Sequence, residues 1–210
     1  MADIKDSVAY HTLDPDTLDK RQNYALQTSL LVPRPIAWVA TVGPDGTYNC
    51  APFSYFMGVS SKPPIIAFAV GEKRTGPKDT TVNIEVCPEF TVNIVNEQLA
   101  NAMVETAADL PHGQSEFEHV GLTPQPSQLI KAPRIAGAPV QMECRLHQMF
   151  TVEGTTTVMI LGRILRYHID PAVLNADQSA VDIHALKPVG RLGGFEYCRV
   201  DDVFEIGRPD

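Results

Sequence analysis

Apolar residues recur along the chain in short runs that are separated by prolines and glycines. Predominantly apolar runs over residues 36–42, 65–70 and 90–95 have the length of buried β-strands. Prolines lie between these runs, and because proline lacks an N–H group and ends regular elements, they mark strand starts and turns. The pattern predicts a protein built mainly from short strands.

Two later segments extend the β pattern. From 140 to 147 the even-numbered positions are apolar and the odd-numbered positions are polar, which places the two sets on opposite faces of one strand. The pattern continues over 158–161 and 163–169. Gly162, between these two stretches, indicates either a β-bulge or a close approach of another group to the backbone.

Helical patterns are fewer. One covers 79–86, begins at Asp79, a good N-cap residue, and stops before Pro88. Asn96 is expected to cap a second helix over 97–108. The inner stripe of that helix consists of Leu99, Ala102, Met103 and Thr106. Many short strands around two helices favour a closed or nearly closed antiparallel barrel.

Composition and charge exclude several classes of protein. The formal net charge of −8 argues against nucleic-acid binding, which depends on Lys and Arg contacts to phosphate. The sequence contains no run of about 18 apolar residues, so it predicts no transmembrane helix. Its first residues lack the pattern of a secretory signal. We therefore expect a cytoplasmic protein that binds neither nucleic acid nor membrane. An N-terminal arm, 1–23, is expected to precede a single domain, 24–210.

Cysteines and histidines carry no recognisable chemistry of their own. The four cysteines are widely spaced and form no C-x-x-C pair, so we expect reduced thiols that pack as small apolar residues. The histidines show no metal-ligand spacing. The sequence also lacks a Ser-His-Asp pattern and a phosphate-binding loop, which leaves hydrolase and nucleotide triphosphate functions without support.

The segment 49–56, Asn-Cys-Ala-Pro-Phe-Ser-Tyr-Phe, is the most informative for function. It mixes small residues, side-chain amide and hydroxyl groups, and aromatic rings. That mixture suits a flat heteroaromatic ligand, because small residues let backbone groups reach its polar edge while rings pack beside it. A buried strand end with locally satisfied side chains is the alternative.

The start of the predicted helix 79–86 is a candidate phosphate site. A helix N-terminus offers unpaired N–H groups and a partial positive charge, Lys78 adds a full charge, and the Thr80 hydroxyl can donate a hydrogen bond. The Asp79 carboxylate would repel a phosphate, so we expect it to turn inward as the N-cap while Lys78 and Thr80 face the ligand. A capped surface helix without a ligand is the alternative.

In this order and spacing, these elements resemble the flavin reductase-like family, whose members bind FMN in a split β-barrel. The segments that carry the resemblance are 33–39, 49–56, 78–83, 90–95, 116–117, 121–124, 143–144 and 188–194. The resemblance implies a mainly β fold, an antiparallel Greek-key split β-barrel with a few flanking helices. It also implies a homodimer with flavin sites near the subunit interface.

The resemblance implies an FMN-binding flavoprotein that passes hydride from NADH or NADPH to flavin N5. Because the cofactors carry that chemistry, no catalytic side chain is expected. The cofactor-binding residues that it implies are Arg34, Thr41, Asn49, Ala51, Pro52, Ser54, Tyr55, Lys78, Asp79, Thr80, Asn83, Arg191, Gly193 and Gly194.

Within that set, the residues expected to line the isoalloxazine ring are Asn49, Ala51, Pro52 and Ser54. Tyr55 is expected either to flank the ring or to pack in the core. Arg34 is expected at the phosphate or ribityl chain, with a solvated side chain as the alternative. Arg191 is expected to hold the FMN phosphate, the phosphate of a nicotinamide cofactor or the partner subunit. The glycines that follow it allow close approach to a ligand.

One position departs from the family's pattern. Many reductases of the family carry an Asp-His pair just before the strand matched here by 158–161, and that His helps to seat the nicotinamide. The matching positions are Thr156 and Thr157. The departure supports a second hypothesis, a flavoredoxin-like electron carrier that is reduced by a protein partner. In either case a redox or monooxygenase partner protein is expected.

Overall fold

The computed structural model describes residues 8–73 and 75–207. Its helices are α1 (Lys20–Leu30), α2 (Asp79–Val86), α3 (Ala100–Glu105), α4 (Glu116–Val120) and α5 (Ile183–Leu186). Its strands are β1 (Ala37–Val42), β2 (Tyr48–Phe53), β3 (Phe56–Ser61), β4 (Pro64–Val70), β5 (Glu89–Ile94), β6 (Pro124–Gln125), β7 (Arg134–Ile135), β8 (Val140–Thr151), β9 (Val158–Ile169), β10 (Val189–Arg191) and β11 (Tyr197–Arg199). Among the described helices, none has both the length and the apolar character needed to cross a membrane.

Seven strands form one antiparallel sheet in the order β2-β1-β5-β8-β9-β4-β3. Only Ser54 and Tyr55 join β2 to β3, although these strands occupy opposite edges of the sheet. The two edges therefore lie next to each other, and the Ala69 N–H on β4 donates to the Tyr55 carbonyl at 2.9 Å. The sheet curls into a split barrel, and the predicted fold class is confirmed.

The predicted strands 36–42, 65–70 and 90–95 correspond to β1, β4 and β5 within one residue at each end. The predicted strand 140–147 continues to Thr151, and β9 runs without a break through Gly162. A Cβ atom at Gly162 would overlap the ring of Phe90, so this position is a close approach. The nearby register shift lies in β8, where Leu146 pairs with Gly162 and Gln148 pairs with Leu161.

Apolar side chains pack on both sides of the sheet. Inside the barrel, the rings of Phe53 and Phe90 lie 5.4 and 5.5 Å, centroid to centroid, from the ring of Phe68 between them. Outside it, a second cluster packs under α3 and α4. Its fully buried members include Trp38, Ala40, Cys50, Met103 and Ile135. Alternate residues of β1 thus face two cores, which explains why that strand is apolar throughout.

Both predicted helices form, with differences at their ends. The N-cap of α2 is Lys78, so the expectation that Asp79 is the N-cap is wrong. The predicted helix 97–108 divides into a 3₁₀ turn, Glu97–Leu99, and α3. Asn96 caps the turn as expected, because its side chain accepts from the Leu99 N–H at 3.2 Å. The α-helical hydrogen bonding ends after α3. There, the N–H groups of Ala107 and Ala108 donate to the carbonyls three residues earlier in the chain.

The predicted boundary between the arm, 1–23, and the domain, 24–210, falls inside helix α1, which includes residues on both sides of position 23. Asp19 and Gln22 form a reciprocal capping box at its start. The first seven residues of the predicted arm lie outside the described residues. The division into arm and domain stays a prediction.

Candidate functional site

Four of the predicted cofactor-binding residues form a buried polar network where α2 packs on β1 and β2. The Asn83 amide donates to Thr41 Oγ1 at 3.0 Å, and Thr41 Oγ1 donates to Asn49 Oδ1 at 3.3 Å. Thr80 Oγ1 donates to the same Asn49 oxygen at 3.2 Å. All four side chains are buried. The structure therefore brings them together, but they satisfy one another and do not face the surface.

Glu116, a residue that the sequence analysis did not include in the site, completes the network. Its Oε2 accepts from the Asn49 amide at 2.7 Å and from the Cys50 N–H at 3.1 Å. Burial raises the pKa of the Glu116 carboxyl. Its position at the start of α4 falls in one of the segments that carry the family resemblance, which was the available signal. The carboxyl fixes the start of the 49–56 segment.

Lys78 precedes α2 and lies at its N-terminal end. Its ammonium is 5.6 Å from the centroid of the Phe53 ring and has no hydrogen bond or ion pair within the described residues. Burial lowers the pKa of Lys78, an effect that the nearby Asp109 carboxylate opposes. A half-buried cation that makes no ion pair within the described residues is a favourable place for an anion.

The first backbone N–H groups of α2 add to this cation. The Thr81 and Val82 N–H groups donate to the Lys78 carbonyl at 2.9 and 3.2 Å. The N–H groups of Asp79 and Thr80 have no acceptor in the part of the chain that the structure describes. Such unpaired groups at a helix start favour an anionic ligand.

The Asp79 carboxylate is paired with two basic side chains and does not cap α2 as predicted. Its Oδ2 accepts from Lys73 Nζ at 2.9 Å, and its Oδ1 is bonded to Nδ1 of His112. Burial would raise the pKa of the Asp79 carboxyl, but the hydrogen bonds from Lys73 and His112 outweigh it and hold the pKa below its usual value. Lys73 and His112 are thus residues of this region that the sequence analysis missed.

Arg34 is buried and fastens the end of α1 to a C-terminal loop. Its Nη1 donates to the carbonyls of Thr28 and Leu31 at 2.6 and 2.7 Å, and its Nη2 donates to the Leu192 carbonyl at 2.8 Å. Its Nε lies 3.4 Å from Ser54 Oγ. Most of its donors are engaged within the protein, and the expected contact with phosphate or ribityl stays a prediction.

Arg191 likewise supports the loop that it begins. Its Nη1 donates to the Glu196 carbonyl at 2.8 Å, its Nη2 donates to the Gly194 carbonyl, and its guanidinium lies 4.5 Å from the centroid of the Tyr197 ring. Gly194 has a φ of +53°, a value that favours glycine. Gly193 is partly exposed in the same loop.

The remaining predicted residues follow β2 and its continuation. Ala51, Pro52, Ser54 and Tyr55 are partly exposed, and the Tyr55 hydroxyl donates to Gln27 Oε1 at 3.0 Å. The segment 49–55 thus begins at the buried network, passes Lys78 at Phe53 and ends beside Arg34. It offers a partly exposed surface of small and polar groups with a cationic site at one side.

Two surface pockets of about 380 and 420 Å³ lie away from these residues. The first is lined by residues of α5 and the chain after β11, and the second by the loop before α4. Neither contains a predicted cofactor-binding residue in its lining. The predicted residues thus divide into a buried group around Asn49 and a partly exposed group that follows β2.

The curled seven-stranded sheet, with a polar segment along β2, defines an antiparallel split-barrel protein. A family model described as "Flavin reductase like domain" matches residues 29–183. The chain therefore belongs to the flavin reductase-like family, as the resemblance indicated.

Solved structures agree with this assignment. The chain is 35% identical to nitrilotriacetate monooxygenase component B from Bacillus cereus, with 95% of this chain and 100% of that chain covered and a TM-score of 0.91. It is 33% identical to the 2-nitrobenzoate 2-nitroreductase of Pseudomonas fluorescens, covering 95% and 96% of the two chains at a TM-score of 0.86. A flavoredoxin of Desulfovibrio vulgaris is 22% identical over 83% of this chain and 91% of its own, at a TM-score of 0.72, which shows a shared fold.

Proposed function

We propose that this protein binds FMN and is an NAD(P)H-dependent flavin reductase. The observation that carries the proposal is the cationic site at the start of α2. There, Lys78 and the N–H groups of Asp79 and Thr80 are all without acceptors among the described residues. A phosphate monoester fits this set, because it brings negative charge and several acceptor oxygens to a cation and two backbone donors.

The flavin ring is proposed to lie along the 49–55 segment. Ala51 and Pro52 are partly exposed there, and their small side chains leave backbone groups accessible. The Glu116 carboxyl accepts from the Asn49 side chain and the Cys50 N–H, which orients the start of this segment without a ligand. Thr41, Thr80 and Asn83 then act by supporting Asn49.

When bound, FMN supplies the group that accepts hydride from a nicotinamide cofactor. The chain's contribution is to hold the phosphate, shape the ring surface and orient the two reactants, so no catalytic side chain is proposed. Arg34 and Arg191 are proposed to set the position of the 191–194 loop beside Tyr55. A direct contact of either guanidinium with the ligand stays a prediction.

The physiological role is proposed from the relatives. A 35% identical protein is component B of a monooxygenase, which supports a redox or monooxygenase partner that uses reduced flavin. A homodimer, with the open surface along β2 completed by a second chain, and a cytoplasmic location are part of the same proposal.

A second candidate is a flavoredoxin-like electron carrier that a protein partner reduces. The observation that favours it is the turn between β8 and β9. Thr156 is exposed and Thr157 partly buried in this turn, where many reductases of the family have an Asp-His pair. The acidic chain, with its net charge of −8, would suit a basic redox partner.

The visible spectrum of FMN-supplemented and desalted protein separates these candidates. Under anaerobic conditions, a retained flavin band that bleaches on addition of NADH or NADPH supports the reductase. A band that stays oxidised until dithionite is added supports the carrier. A protein that retains no flavin and gains no thermal stability from FMN contradicts both.

A further inference from the structure

Glu116 uses only one of its two carboxylate oxygens within the protein. Its Oε2 accepts from the Asn49 amide at 2.7 Å and from the Cys50 N–H at 3.1 Å, whereas no hydrogen bond from another described residue reaches its Oε1. The residue as a whole is only 3% exposed. A carboxylate oxygen in such a place is destabilising unless a ligand or a water molecule donates to it.

This free oxygen can be reached from outside the protein. Every side-chain nitrogen or oxygen that is fully cut off from the surface has a hydrogen-bond partner in the part of the chain that the structure describes. Since Glu116 Oε1 has no such partner, it is one of the atoms that touch the surface. The carboxylate is therefore held by β2 through one oxygen and presents the other as an acceptor.

The Glu116 carboxylate lies one side chain away from the first turn of α2. Asn49 joins them, because its Oδ1 accepts from Thr80 Oγ1 at 3.2 Å while its Nδ2 donates to Glu116. Burial lowers the pKa of Lys78, and Glu116 is among the carboxylates that oppose this effect. A phosphate monoester at Lys78 would thus bring the atoms next to its phosphate close to Glu116.

A carboxylate at this distance restricts the chemistry of those atoms. It repels a negative charge and accepts hydrogen bonds from O–H and N–H groups. In FMN, the chain that follows the phosphate is ribityl, which carries several hydroxyl groups. The N–H group of the oxidised ring, N3–H, lies farther from the phosphate. Proximity to the phosphate site therefore favours a ribityl hydroxyl as the donor.

We propose that Glu116 binds the flavin directly, by accepting a hydrogen bond from a ribityl hydroxyl at its Oε1. This inference rests on the proposed function, because it takes the flavin phosphate to lie at Lys78. The bond would be charge-assisted, and the bonds from Asn49 and Cys50 already orient the carboxylate. Glu116 thus recognises the ribityl chain, while Lys78 recognises the phosphate.

The test measures the dissociation constants of riboflavin and lumiflavin by quenching of flavin fluorescence. The two ligands share the isoalloxazine ring, only riboflavin has the ribityl chain, and neither has a phosphate on which the charge of Glu116 could act. Glu116→Gln keeps the shape of the side chain but replaces a charged acceptor by a neutral amide. It is expected to weaken riboflavin binding about three- to tenfold and to leave lumiflavin binding unchanged. Glu118→Gln, at an exposed position on the same helix, is the matched control and should follow the unmodified protein.

An unchanged ratio of riboflavin to lumiflavin affinity in Glu116→Gln would overturn the inference, whether both affinities fall together, as for a bond to the ring, or neither falls. The unmodified protein gives a second test that needs no variant. If it binds lumiflavin as tightly as riboflavin, no ribityl hydroxyl contributes and the inference is wrong. The proposed function would survive either result if Lys78→Ala still weakened FMN binding relative to riboflavin. A protein that binds none of these flavins would contradict both.

Discussion

Replacing Lys78 by alanine is expected to weaken FMN binding by about 1–3 kcal/mol, which corresponds to roughly 5- to 150-fold in the dissociation constant. The ammonium is half-buried and has no acceptor within the described residues, so the variant loses a charge-assisted bond to the phosphate and leaves no buried protein group unpaired. The two N–H groups at the start of α2 remain, which is why binding should weaken and not disappear.

The same substitution should leave the folded state almost as stable as before. Lys78 makes no side-chain capping bond to α2, and burial already disfavours its charged form. The loss on folding is its contact with the Phe53 ring, worth about 0.5–1 kcal/mol for a partly exposed pair. A weakened FMN affinity in Lys78→Ala can therefore be attributed to the site and not to unfolding.

The assay titrates FMN and riboflavin into each variant and follows flavin fluorescence. Lys62→Ala is the matched control, since it removes the same charge from an exposed position between β3 and β4. We expect Lys78→Ala to lose affinity for FMN and to keep its affinity for riboflavin. Equal losses for both ligands, or a loss of the same size in Lys62→Ala, would refute a specific phosphate contact.

Two further predictions concern stability. Gly162→Ala should lower the free energy of unfolding by about 1–3 kcal/mol, because the new Cβ would overlap the Phe90 ring; Gly58→Ala, with no atom near its Cβ position, is the control in thermal denaturation. The second prediction concerns Glu143, which is fully buried. Burial would raise the pKa of its carboxyl, but hydrogen bonds from the Gln128 N–H and from His168 outweigh that effect and lower the pKa. Its folded-state pKa is thus below the unfolded value of 4.5, so its stabilisation is present above about pH 4.5 and is lost as pH falls further. Urea unfolding of Glu143→Gln should show a smaller loss of stability on acidification than the unmodified protein; an equal loss would contradict this assignment.

The strands could be predicted from the sequence where both faces of a strand are buried, because such a strand is a continuous run of apolar residues. In β1, Ala37 and Val39 belong to the barrel interior while Trp38 and Ala40 belong to the outer cluster, so the whole strand is apolar. The alternation in β8 is less direct. Its polar positions Gln141 and Glu143 are also buried. The Gln141 side chain is bonded to both residues of β7, and Glu143 accepts from the Gln128 N–H. Alternation there indicated a strand correctly but does not indicate an exposed face.

The sequence indicated the residue types of the candidate site but not how they are arranged. Amide and hydroxyl groups such as those of Asn49 and Thr80 suit a flavin edge, yet the same groups can satisfy each other, and only the packing of α2 on β2 decides between these uses. His112 lies 33 positions from Asp79 in the chain. No local pattern connects two such residues, since their contact depends on where the α3–α4 loop crosses the start of α2.

The wrong prediction that Asp79 is the N-cap of α2 is relevant to the proposed function. As an N-cap, the Asp79 carboxylate would have accepted hydrogen bonds from the first N–H groups of the helix, the same donors that a phosphate needs. One position later, it engages Lys73 and His112 instead, and the N–H groups of Asp79 and Thr80 stay without acceptors among the described residues. The Thr80 hydroxyl is committed to Asn49. The proposed anion site therefore consists of Lys78 and backbone N–H groups, which is the reason that we expect Lys78→Ala to weaken FMN binding.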